Sequence, residues 1–170
     1  MTILRILEYP DPVLRRKAEP VAVVDDEIRA LMENMLETMY AAPGIGLAAP
    51  QVGVLRRVVV IDVSEEKNRP LRLVNPRILW RSEETATAEE GCLSLPDLYA
   101  EVRRPAEVAV AYLDEQGREQ RLRAEGTLAR CLQHEIDHLD GVLFIDRVST
   151  VRRNMLLRRY QKQRRLKATA

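Results

Sequence analysis

His134-Glu135-Ile136-Asp137-His138 contains both histidines of this 170-residue chain, four positions apart, with a carboxylic acid after the first. On a helix, side chains at i and i+4 share a face, so both imidazoles can turn toward one metal ion. Glu135 lies beside that face. Its carboxylate is badly placed as a ligand but can reach a water on the metal and take or return its proton. The pattern outlines a metal-dependent hydrolase built on a helix.

The flanks support the helix. Residues 124–133 contain no proline, Leu128, Leu132, Ile136 and Leu139 recur at helical spacing, and Asp140-Gly141 stops the run. One face should therefore be buried. A pair of ordinary core histidines is the alternative reading, and it weakens once a third ligand is found.

A catalytic metal site usually has three protein ligands and one open position. The two cysteines are the candidates for the third. Cys131 shares the motif helix, about two turns (roughly 10 Å of rise) from His138, and reads as a wall residue. Cys92, in Glu90-Gly91-Cys92-Leu93-Ser94-Leu95-Pro96, lies between a glycine and a proline, where an irregular backbone can present a thiolate. It is the better ligand. A buried free thiol, or a disulfide between Cys92 and Cys131, is the plainer reading; with two cysteines and no secretory leader the second is disfavoured. One thiolate and two imidazoles form a borderline-soft set that suits zinc, nickel, cobalt or ferrous iron.

Gly44-Ile45-Gly46-Leu47-Ala48-Ala49 mimics a dinucleotide-binding turn, but such a turn follows a strand and opens a helix. Here an amphipathic helix at about 26–41, capped by Asp25 or Asp26, precedes it, and Pro50 follows. Small residues with the amide Gln51 suit a site wall, where a backbone approaches a ligand.

Residues 58–63 and 71–76 read as strands, and 108–113 with 119–123 as a hairpin about Asp114-Glu115-Gln116-Gly117. A last helix ends the chain. Without βαβ alternation the expected class is α+β: antiparallel β-sheets packed around a central helix that carries the HExxH-type motif, with a C-terminal helix. At 46% hydrophobic residues one core is expected, no stretch has the roughly 18 apolar residues of a membrane span, and the amino terminus lacks the apolar run of a secretory signal, which points to the cytoplasm.

The net charge of +1 hides an asymmetry. Residues 147–170 hold nine Arg or Lys and no acid, leaving 18 basic against 26 acidic residues before them. We therefore divide the chain into a catalytic part, 1–146, and a basic C-terminal helix or tail, 147–170. That tail could pack on its own acidic body or reach a polyanion such as RNA.

Three segments together resemble the peptide deformylase family: Gly44-Ile45-Gly46-Leu47-Ala48-Ala49-Pro50-Gln51, Glu90-Gly91-Cys92-Leu93-Ser94 and Gln133-His134-Glu135-Ile136-Asp137-His138. The likeness runs from Ile6 to about Asp146, and the length resembles the shorter, type I bacterial class. It implies that Cys92, His134 and His138 are metal ligands with water in the fourth position, and that Glu135 is the general acid/base. Gln51 and the Leu93 backbone N–H would donate to the developing oxyanion while a metal-bound hydroxide attacks the formyl carbon. Gly46 would bind the substrate peptide through its backbone, and Ile45, Leu93, Leu128, Cys131 and His134 would line a methionine pocket. Tyr99 stands where some members carry arginine. The resemblance further implies Fe(II) as native ion, with Ni(II), Co(II) or Zn(II) as substitutes. Its substrates would be formylmethionyl nascent peptides; the tail would face the ribosome, and neither membrane nor DNA is expected as partner. A zinc endopeptidase is the competing enzyme class, but it usually takes a third histidine or a glutamate. A structural metal site on an RNA-binding module would leave Glu135 without a task.

Overall fold

Val58–Ile61 is an unbroken apolar run because both of its faces are covered. In the computed structural model, which describes residues 2–169, this strand (β2) sends Val59 and Ile61 to one side and Val58 and Val60 to the other, all fully buried. It pairs antiparallel with β1 (Gly46–Ala48) and β3 (Leu71–Arg81). With β6 (Glu107–Leu113) and β7 (Glu119–Glu125) these form a five-stranded antiparallel sheet in the order β1-β2-β3-β6-β7. Helix α1 (Asp26–Ala41) covers one face through Met32, Met35, Leu36 and Met39. Asp25 is its cap, accepting from the Ile28 N–H at 3.0 Å.

Helix α2 (Gly126–Leu139) covers the other face. Leu132, Ile136 and Leu139 pack on Val59, Ile61, Val108 and Val110, while Leu128 is partly buried against the same cluster. The expected stop is present: Asp140 caps the helix and Gly141 adopts φ 74°. A side chain there would also run into the Arg15 carbonyl, so glycine is required twice over.

Besides the short β1, where no strand is expected, the expected strands differ from those observed in three places. β2 ends at Ile61 rather than 63, because the buried Asp62 carboxylate leaves the ladder to accept from Ser64 N, Ser64 Oγ, Arg69 N and Tyr40 Oη. β3 runs on past Pro76 to Arg81. Asn75 at φ 50° and the proline form a register shift between Val74 and Arg77, which absorbs the missing N–H. Third, a separate two-stranded sheet, β4 (Thr85–Cys92) with β5 (Leu95–Pro105), occupies a stretch with no strand expected. Most of β4 is solvent-exposed and polar, so no apolar alternation marks it.

Helix α2 therefore lies between the five-stranded sheet and the β4–β5 hairpin, to which Arg130 and Gln133 donate at the carbonyls of Val102, Ala86 and Pro105. Helix α3 (Thr150–Thr169) closes the chain. Its Leu156 and Tyr160 are buried among Leu14, Leu95, Leu98 and Phe144, and Arg153, Arg164 and Lys167 pair with Asp146, Glu8 and Asp97. Among the described residues no helix is long and apolar enough to cross a membrane.

Candidate metal centre

The four-residue spacing on α2 brings the His134 and His138 rings to a centroid distance of 5.0 Å. Cys92, the last residue of β4, comes to the same point from the hairpin, its Sγ 3.3 Å from His138 Nε2. One ligand atom from each of the three residues lies within 4.8 Å of the other two. Both cysteines are free thiols, and Cys131 is not part of the cluster. A thiolate with two imidazoles fits a borderline-soft divalent ion.

His134 is oriented from behind. Its Nδ1 is 3.0 Å from Glu90 Oε1, which makes Nδ1 the N–H nitrogen and leaves the Nε2 lone pair for the cluster. Phe144 stacks on the same ring at 6.1 Å. Burial alone would raise the Glu90 carboxyl, but hydrogen bonds from His134 and Arg104, with the Arg104 charge, hold it down at about 2. Arg104 is itself buried. It forks onto both Glu90 oxygens at 2.6 and 2.9 Å and gives its third donor to Asp137 at 3.0 Å, and Arg130 adds a further bond to Glu90 at 2.6 Å.

Glu135 points into a buried space, 4% exposed, and its Oε1 has no hydrogen-bond partner among the described residues. Burial drives its carboxyl up to about 7, against the opposing pull of His134. Gly46 explains how it fits. A Cβ at that residue would stand 2.5 Å from Glu135 Oε2 and 2.7 Å from Cys131 Sγ, so only glycine lets β1 pass this close. Burial raises the Cys131 thiol well above its usual value, which keeps it neutral.

Gln51 is 1% exposed and its amide is held at both ends. Oε1 accepts from the Ala48 N–H at 3.0 Å, and Nε2 donates to Ser94 Oγ at 3.1 Å and to Cys92 Sγ at 3.6 Å. Ile45 sits at the rim, 40% exposed, its carbonyl 3.8 Å from Cys131 Sγ. The Leu93 side chain lies against Gly44 on the turn that follows Cys92. Leu128 lies one turn before Leu132 on α2, in the cluster that includes Cys131. The Tyr99 ring crosses Gly91, next to the cysteine, and is 58% exposed. The sequence reading thus names the cluster residues, Glu135, Gly46 and Gln51 together. It gives no role to Glu90, Arg104, Asp137, Ser94 or Phe144.

Comparison with known proteins agrees with this geometry. A model of the family described as polypeptide deformylase matches residues 3–154. A peptide deformylase of Rhizobium meliloti is 56% identical over 164 residues, spanning 95% of this chain and 94% of that protein. One of Nitrosococcus oceani is 55% identical over 168 residues, spanning 99% and 100%. The crystal structure of a peptide deformylase from Legionella pneumophila superposes with a TM-score of 0.92 at 44% identity, covering 99% of both chains. That from Synechococcus elongatus, solved in complex with actinonin, gives 0.87 at 49% identity over 92% of this chain and 86% of that one. Motif, fold and site geometry lead to one assignment: this chain belongs to the polypeptide deformylase family.

Proposed function

We propose that this chain hydrolyses the N-formyl group of the terminal formylmethionine of newly made polypeptides, releasing formate and leaving a free amine. The observation that carries the reading is the convergence of Cys92 Sγ and one nitrogen each of His134 and His138 beside the buried carboxyl of Glu135, whose Oε1 has no hydrogen-bond partner among the described residues. Cys92, His134 and His138 hold one divalent ion. That ion, when bound, supplies Lewis-acid activation of water and of the formyl oxygen.

The protein groups do the rest. Glu135 takes the proton from the attacking water and returns it to the departing amine nitrogen as the C–N bond of the formamide breaks. Its buried position, with the carboxyl raised to about 7, suits a group that must both accept and donate near neutrality. Gln51 Nε2 and the Leu93 backbone N–H donate to the oxygen on which charge develops. Gln51 is already fixed for this by the Ala48 N–H. The Gly46 backbone on edge strand β1 receives the peptide chain, and Ile45, Leu93, Leu128, Cys131 and His134 wall the methionine side chain.

The donor set admits Fe(II), Ni(II), Co(II) and Zn(II) alike, and it is the likeness to the family that favours Fe(II) as the native ion, with Ni(II) or Co(II) as working substitutes and Zn(II) as a poor one. All the residues named here fall within 1–146, and we read 147–170 as a basic extension that faces the ribosome. Arg152, Arg158, Arg159 and Lys162 support this, since all four are exposed on α3 and make no ion pair among the described residues. A protein that meets nascent chains there works in the cytoplasm. The deciding assay uses protein purified without oxygen and compares formate release from formyl-Met-Ala-Ser with cleavage of an internal peptide bond. Formate without internal cleavage is the expected result; internal cleavage alone would instead indicate an endopeptidase.

A further inference from the structure

Asp137 is the one acid of the helical motif with no task in the chemistry above, and its side chain is only 13% exposed. Three donors from two different elements converge on it. Arg104 NH1, from β5, donates to Oδ2 at 3.0 Å. Arg147, just before α3, forks onto both oxygens at 3.1 and 2.7 Å. The remaining donors of Arg104 grip Glu90, which holds His134 Nδ1. The result is an unbroken chain of charged hydrogen bonds, Arg147 to Asp137 to Arg104 to Glu90 to His134, running from the foot of the C-terminal helix to a metal ligand.

We infer that Asp137 is a positioning residue for His134, acting through Arg104 and Glu90, and that Arg147 extends the same linkage to the C-terminal helix. Arg104 is 4% exposed and carries a full positive charge, so it must be neutralised where it stands. Glu90 alone would have to do this if Asp137 were uncharged. Drawn more fully onto Arg104, its Oε1 would accept less well from His134 Nδ1, and the ring would lose the partner that fixes its tautomer and angle. Asp137 shares the load and leaves Glu90 free to serve Arg104, Arg130 and His134 together. The inference rests on the ligand assignment proposed above and adds to it a residue that touches neither metal nor substrate.

The test uses Co(II) as probe, because its absorption reports ligand geometry and its release into a chelator reports affinity. Asp137→Asn keeps the shape and removes the charge. It should shift the Co(II) ligand-field bands and speed release about tenfold or more, the usual size of an outer-shell effect. Arg147→Gln, at the exposed end of the linkage and one step further from the ligand, should speed release by roughly two- to threefold, less than the about 10–100-fold of a direct outer-shell partner. Combined with Asp137→Asn it should add nothing, since it acts only through Asp137. Arg153→Gln loosens the same segment through Asp146 instead and should leave the bands unchanged. Unshifted bands and parental release in both Asp137→Asn and Arg147→Gln would overturn the inference, as would an equal shift in Arg153→Gln. If Asp137→Asn fails to fold, Arg147→Gln against Arg153→Gln decides alone. A parent protein that binds no Co(II) would instead sink the ligand assignment, a separable result.

Discussion

A carboxyl oxygen buried without a partner, as in Glu135, normally costs an interior 1–3 kcal/mol or more, so such a group usually has a task. Glu135→Gln preserves size and hydrogen-bonding reach but cannot accept the proton. Turnover of formyl-Met-Ala-Ser should fall by about two orders of magnitude or more while one metal per chain is retained, as metal analysis of the same sample would show. Activity near that of the parent would end the acid/base assignment. Cys92→Ala should abolish tight metal binding and Cys131→Ala should not, because only the first belongs to the cluster. Gly46→Ala should fold yet lose at least about tenfold in kcat/KM, since a misplacement of about an ångström at a reacting group costs that much or more. The added methyl must push Glu135, Cys131 or β1 itself aside. At this scale much was legible in advance. Spacing on a helix marks His134, Glu135 and His138, and a Gly-flanked cysteine marks Cys92. The acids and arginines behind them were not legible, because their partners lie 10 to 44 residues away and nothing local distinguishes a buried Arg104 from an exposed one.

Most elements with a covered face declared themselves; the exposed β4 did not, and neither did β1 and β5, although both are buried on at least one face. β2 began where its unbroken apolar run begins, and α1, α2 and the β6–β7 hairpin stood where periodicity put them, because each presents an apolar face at a period of 3.6 or 2. β4 did not, since its residues meet solvent along most of its length and its order comes from the ladder with β5. The turn Phe144–Arg147 before α3 offers a test at this scale. Burial alone would raise the Asp146 carboxyl, but bonds from Arg15, the Leu143 N–H and Arg153 hold it below its ordinary value of 3.8. A carboxyl lowered in the folded state stabilises the fold above 3.8, and that contribution is lost as pH falls through the folded value. Asp146→Asn should therefore lower the thermal midpoint at neutral pH and flatten its decline below pH 3.8, measured by circular dichroism. An unchanged acid limb would exclude Asp146 from acid unfolding.

The whole molecule reconciles the two readings of the basic tail. One face of α3 belongs to the body through Leu156 and Tyr160, while Val151 and Met155 stay exposed among the arginines. Removing residues 148–170 would thus expose a core cluster as well as delete charge, and Leu156→Ala alone should cost about 2–5 kcal/mol. A cleaner separation replaces Arg152, Arg158, Arg159 and Lys162 with Gln. Cleavage of short formyl peptides should persist, whereas ribosome binding should weaken and lose much of its salt dependence in sedimentation. Unaltered binding at all salt concentrations would rule out this face. Net charge alone could not have located it, because Arg153, Arg164 and Lys167 of the same helix are already paired with Asp146, Glu8 and Asp97 of the body.

The β4–β5 hairpin shares no ladder with the main sheet, so side chains fasten it to α2. An ion held by Cys92 and His138 would act there as a reversible cross-link between residues 46 apart in the chain. Closing a loop of that length in the unfolded ensemble is worth at most about 4 kcal/mol on a chain-entropy estimate, less whatever the Glu90–Arg104–Asp137 bonds already secure. Metal occupancy then governs durability as well as turnover. Protein stripped by a chelator should be digested faster by a dilute protease, with first cuts in the hairpin. Cys92→Ala should be digested equally fast with or without chelator.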